Sequence, residues 1–173
     1  ALILTGGGSL GAVQVGMLRE LMDSGFRPDF IVGVSAGALN GAFLAADPAV
    51  DAVDRMAALW SRVTTREVLG LSWRSLLAFA GLRDHFADAR GLRSVLEREL
   101  AIREFAGLKI PLYVLSAELA SGDGVVLSRG ALADAILAST AIPGVFPPVA
   151  FEGRLLVDGA VALESPISVA IRL

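Results

Sequence analysis

The sequence contains no cysteine and a single histidine, His85, among 173 residues. The first absence excludes disulfides, thiolate metal sites and a cysteine nucleophile; it does not fix the compartment, because exported proteins also do without cysteine. The second leaves little room for histidine-based metal or acid–base chemistry. Charge is scarce too: 19% of residues are charged, the net charge is −3, and Lys109 is the only lysine among 15 basic residues. No basic stripe or polybasic patch marks a nucleic-acid partner. No long apolar run is present either. A membrane-crossing helix needs about 20 consecutive apolar residues, and the longest weakly polar stretch, Ile31 to Ala46, is broken by Ser35, Asn40 and small residues. No spanning helix is expected.

What is abundant is buried-type apolar residue, 54% of the chain, which excludes disorder and fits parallel strands covered on both faces. The length suits one domain, residues 1–173. The chain starts inside an apolar run, Ala1 to Leu4, without a basic leader. It stops soon after the helix-opening pair Ser165-Pro166. We therefore expect a domain trimmed at both ends, with a cytoplasmic or peripheral-membrane setting.

Apolar periodicity gives alternating elements. Strands are expected at 1–5 and 30–34, each followed by a helix, at about 11–24 and 36–46. Asp51 to Val63 and Ala89 to Phe105 carry helical spacing. Ile110 to Glu118 and Val125 to Leu127 read as strands around a Ser121-Gly122-Asp123-Gly124 turn, and Ala131 to Ser139 as a helix. A hairpin follows, Val149 to Phe151 and Leu155 to Asp158. The fold class is α/β, a mainly parallel sheet with helices on both sides, with sites expected beyond the C-terminal ends of strands.

The first strand runs into Thr5-Gly6-Gly7-Gly8-Ser9-Leu10-Gly11 and then a helix, an arrangement of unobstructed amides that suits an anion. Gly6, Gly8 and Gly11 satisfy the G-x-G-x-x-G dinucleotide pattern. That reading needs an acidic residue at the end of the second strand, yet Asp29 precedes the strand. A phosphate-binding P-loop is excluded because no lysine follows Gly11. A Gly-rich turn without further role is the remaining alternative.

The second strand ends in Gly33-Val34-Ser35-Ala36-Gly37, a G-x-S-x-G between strand and helix, which is the setting of a nucleophile elbow. Two successive parallel strands can set the Gly6 to Gly8 amides beside Ser35, where they would stabilise a tetrahedral oxyanion. A serine nucleophile needs a base. His85 sits in the charged run Arg83-Asp84-His85, ahead of Asp158, and suits a solvated surface better than a triad. Asp158, after the apolar Leu155-Leu156-Val157 and before Gly159, is the best placed carboxylate. Partial burial there would raise its basicity. Spacing alone does not separate either motif from a plain turn.

Taken together, Gly6 to Gly11, Gly33 to Gly37 and Asp158-Gly159-Ala160, with the block Ala138-Ser139-Thr140-Ala141-Ile142-Pro143-Gly144-Val145-Phe146-Pro147-Pro148, resemble the motifs of the patatin-like phospholipase family. The resemblance implies a three-layer α/β/α sandwich and a Ser–Asp dyad without histidine. Ser35 would be the nucleophile and Asp158 the proton acceptor. The amides of Gly6, Gly7, Gly8 and Gly11 would form the oxyanion hole, Gly33 and Gly37 would shape the elbow, and Gly159 and Ala160 would complete the Asp motif. It implies a lipid or other acyl-ester substrate, transient contact with a membrane surface, and no metal or cofactor. Two positions depart from the family pattern: Leu10, where a basic residue is common, and Leu163-Glu164-Ser165-Pro166, where an Asn commonly precedes the proline. The apolar segment Leu69 to Leu82 is expected to be a buried helix or a substrate-access lip. Rival expectations are a dinucleotide-binding module and a catalytically silent lipid-binding domain.

Overall fold

The computed structural model describes residues 1–69 and 87–173. Six strands form one sheet: β1 Leu2–Leu4, β2 Ile31–Val34, β3 Leu112–Glu118, β4 Gly124–Leu127, β5 Val149–Phe151 and β6 Arg154–Asp158. Among the described residues the helices are α1 Gly11–Asp23, α2 Ala36–Ala46, α3 Val50–Arg62, α4 Thr65–Leu69, α5 Arg90–Glu99, α6 Leu132–Ser139 and α7 Pro166–Arg172. All the strands expected from apolar runs are present. The helical spacing of Ala89 to Phe105 resolves into α5 and a single 3-10 turn at Phe105–Gly107. His85 and residues 70–82 of the apolar segment lie outside the described residues.

Strands β1, β2 and β3 are parallel neighbours, while β4 and β6 run antiparallel to β3 and β5 antiparallel to β6. The sheet is thus mixed, with β1, β2, β3 and β5 sharing one direction. Because the order β1-β2-β3 advances one way, right-handed crossovers carry the intervening helices to the same face. There a single cluster joins Leu18, Leu44, Met56, Leu96, Ile136 and Leu156 from six elements. The opposite face holds Val32, Val34 and Leu115, covered by Val169 of α7. Burial on both faces is why β2 reads as an unbroken apolar run.

Helix α2 is buried from Ala36 through Ala45, as expected of a helix apolar all round. Helix α3 is amphipathic instead and buries Ala52, Val53, Met56 and Leu59 at 3–4 residue spacing.

The pairing register of β3 decides where the chemistry sits. Leu115 pairs with Val34 of β2 and Val126 of β4, and the next residue, Ser116, pairs with Asp158 of β6 and Val125 of β4. Since β4 holds one edge on both sides of this point, from Val114 to Ala117, β2 and β6 share the other edge end to end. Their C-terminal ends meet there, so Ser35, just after Val34, comes up against Asp158. The hairpin that delivers β6 turns on Glu152 and Gly153, both at positive φ (47° and 80°), as a two-residue hairpin of this hand requires.

Candidate active site

Ser35 follows β2 and caps α2 at φ 53°, ψ −122°, a conformation costly for a residue with a Cβ. Such strain persists only where the surroundings fix it. The two flanking glycines are fixed by close approach. A Cβ on Gly33 would lie 2.6 Å from the Ala38 Cα, and one on Gly37 would lie 2.1 Å from the Leu4 carbonyl oxygen. The turn therefore packs backbone on backbone and leaves a side chain only at Ser35 and its immediate neighbours.

The Ser35 hydroxyl donates to Asp158 Oδ2 at 2.7 Å. Both residues are buried, at 5% and 2% exposure, so this bond is shielded from competing solvent. The other carboxylate oxygen, Oδ1, accepts the Ala160 amide at 2.8 Å, so the turn after β6 orients the carboxylate. Burial pushes the Asp158 carboxyl above the usual range, opposed by those two hydrogen bonds. Gly159 is required by contact, because a Cβ there would meet the Leu115 carbonyl oxygen at 2.0 Å.

The Gly-rich loop lies alongside. A Cβ on Gly6 would be 3.1 Å from the Ser35 Cβ and 3.8 Å from the Ala160 Cβ. Gly8 takes φ 56°, and the amides of Gly6, Gly7 and Gly8 donate to no acceptor among the described residues. Gly11 begins α1 against Ala36 and Trp60, where a Cβ would come within 2.9 Å of both; its amide already donates to the Gly8 carbonyl, so Gly11 is a packing position and not the oxyanion donor expected from the motif. Thus the structure brings Ser35, Asp158, Ala160 and the glycine loop into one place. Asp29 precedes β2, at the end of the strand away from this loop, so the dinucleotide pattern lacks its ribose partner.

Residues without an assigned role in the sequence reading also converge here. Asn40 is fully buried and accepts from Trp60 Nε1 at 2.8 Å, while its amide donates to the Gly11 carbonyl at 2.9 Å and to Gln14 at 3.0 Å. Gln14 in turn donates to the Thr5 carbonyl at 2.7 Å, so the network ties both ends of the glycine loop. Ser139 Oγ accepts the Ser35 amide at 2.9 Å and donates to the Leu115 carbonyl at 2.6 Å. Their sequence signal is a lone polar residue inside an apolar segment, which marks a buried hydrogen bond but not its partner. No group of three or more metal-ligating side chains occurs among the described residues, and no helix there is long and apolar enough to cross a membrane.

The structure thus sets a serine on a strained strand-to-helix elbow, hydrogen-bonded to a buried carboxylate and beside loop amides that donate to no acceptor among the described residues, within an α/β domain. The chain belongs to the patatin-like phospholipase family, whose model matches residues 2–171. It is 30% identical to patatin-like phospholipase domain-containing protein 7 of Rattus norvegicus over 98% of this chain and 12% of that protein. To neuropathy target esterase sws of Drosophila sechellia it is 28% identical, over 95% of this chain and 11% of the relative. The chain therefore spans about a tenth of these relatives' length. In fold it is similar to VipD from Legionella pneumophila, with a TM-score of 0.62 at 14% identity, covering 91% of this chain and 45% of that one.

Proposed function

We propose that the domain is a serine lipid acyl hydrolase, phospholipase A-like or lysophospholipase-like, that cleaves fatty-acyl esters through a Ser35–Asp158 dyad. The observation that carries this is the 2.7 Å hydrogen bond from the Ser35 hydroxyl to Asp158 Oδ2, made at a strained elbow. In this reading Ser35 Oγ attacks the ester carbonyl as its proton passes to Asp158, whose raised pKa suits it to act as a base. The oxyanion is met by the amides of Gly6, Gly7 and Gly8, which are free to donate. Collapse of the intermediate expels the alcohol, which takes the proton from Asp158 and leaves an acyl-Ser35 ester. Asp158 then deprotonates a water molecule that attacks this ester, releasing the fatty acid and returning the proton to Ser35. The cycle balances without metal, cofactor or histidine.

A lipid-panel hydrolysis assay with product mass analysis tests the reading, run with Ser35→Ala, Asp158→Asn and His85→Ala. A serine-directed organophosphonate should label Ser35. Loss of Ser35 or Asp158 should lower kcat by roughly four orders of magnitude, while His85→Ala keeps most activity. A folded wild-type protein that binds lipid but neither labels nor turns over any ester would favour the silent lipid-binding alternative. Loss of activity on changing His85 alone, with the fold intact, would overturn the dyad.

A further inference from the structure

The edge of β3 that β2 and β6 share has a break between them, and breaks in a ladder leave backbone groups unpaired. At this break stand the Ser35 amide, just past the end of β2, and the Leu115 carbonyl, the last β3 group opposite β2. One side chain fills the gap. Ser139, the last residue of α6, accepts the Ser35 N–H at 2.9 Å and donates its own proton to the Leu115 carbonyl at 2.6 Å. Its hydroxyl is fully buried, so no water competes for either bond. Two residues further on, the Ala141 carbonyl accepts the Asp158 amide at 2.9 Å. The end of α6 therefore holds the backbone of both dyad members from one three-residue segment.

We infer that Ser139 is a positioning residue for the reaction: it holds Ser35 in its strained conformation and so sets the Ser35–Asp158 alignment. The inference rests on the dyad proposed above. A hydroxyl is suited to the place because it must accept from one backbone group and donate to another at once, which alanine cannot do. Without it the Ser35 amide and the Leu115 carbonyl are both left unsatisfied, and the elbow loses the bond that opposes its strain. Misplacement by about 1 Å is enough to cost roughly 100-fold in rate.

The test uses kcat and KM on a soluble short-chain ester, together with the rate of phosphonate labelling at Ser35, at a temperature where circular dichroism shows each variant folded. Ser139→Ala should lower kcat and labelling about 10- to 100-fold while KM stays within about threefold. Thr140→Val is the control on the same helix end, since among the described residues Thr140 Oγ1 bonds only the Ile136 and Leu137 carbonyls; it should keep wild-type kcat. Ser139→Cys retains weak donor and acceptor character and should fall between wild type and alanine. It also serves as the test if the alanine variant does not fold. A folded Ser139→Ala with wild-type kcat overturns the inference, as does wild-type kcat in Ser139→Cys when alanine is not folded, or an equal loss in Thr140→Val. Wild-type protein that labels at Ser35 separates failure of this inference from failure of the dyad; an unlabelled, inactive wild type removes both.

Discussion

At the scale of single residues, the site sets chemistry against stability. Asp158 is buried, and its carboxyl is pushed up by desolvation despite the Ala160 amide and Ser35 hydroxyl bound to it. A carboxyl whose folded pKa exceeds its unfolded value binds its proton more tightly when folded. Its contribution to stability is fully present below the unfolded pKa, near 3.9, and is lost as pH rises through the folded value. At neutral pH the folded protein carries that cost. Asp158→Asn keeps an acceptor for Ala160 but cannot ionise. It should raise Tm at pH 7–8 while abolishing turnover, with the gain shrinking toward zero as pH falls through the carboxylate range. Thermal unfolding across pH checks this, and a constant gain at all pH values would contradict it. The proposed mechanism requires the base form of Asp158 for attack, so it predicts an acid limb of kcat/KM above the ordinary carboxylate range.

Ser116 gives a second case at this scale. Its hydroxyl is fully buried opposite Asp158 and has no hydrogen-bond partner among the described residues. Burying such a group costs about 1–3 kcal/mol. Ser116→Ala removes that cost and should stabilise the protein by about 1 kcal/mol, read as a higher urea midpoint. Destabilisation of the same size would mean that the hydroxyl makes a bond, for instance to a buried water.

At the scale of elements, the helix pair α2–α3 shapes the glycine loop through Asn40. Trp60→Phe leaves the Asn40 Oδ1 without its 2.8 Å donor and should cost about 1–3 kcal/mol. The damage should reach the α1 end of the loop, since the Asn40 amide also binds the Gly11 carbonyl. Phosphonate labelling should therefore slow as well. These elements were legible in the sequence as elements: β2 as an apolar run, α2 as a helix over about 36–46, α3 by its apolar spacing. The two-ended sharing of one β3 edge was not. Strand alternation states which residues face the core, not which strand each will pair with, and β6 reaches β3 only by way of a hairpin far along the chain. For the same reason Ser35 and Asp158 were legible with roles, while Ser139 was legible only as a member of the Ala138 to Pro148 block, without one. Its partners lie 104 and 24 residues away, and nothing in the local pattern names them.

At the scale of the whole molecule, the apolar surplus of the composition divides unequally. Among the described residues, most of the buried apolar side chains form the continuous cluster on one face of the sheet. A smaller share forms the second cluster, where Val32, Val34 and Leu115 meet Val169 of α7, and some stays on the surface, as at Leu10, Val13 and Met17. The thin second cluster is the more exposed to damage, because few side chains can close around a lost one, and Val34 directly precedes Ser35. Val169 is 1% exposed, whereas Ile171 on the same short helix is 80% exposed. Val169→Ala should lower stability by about 1–3 kcal/mol, seen as a reduced urea midpoint with the slope unchanged. Ile171→Ala, which removes more side chain, should stay within about 0.5 kcal/mol of wild type. Equal losses at both positions would mean that α7 contributes through its own helicity, and that the second face of the sheet does not depend on the contact Val169 makes with it.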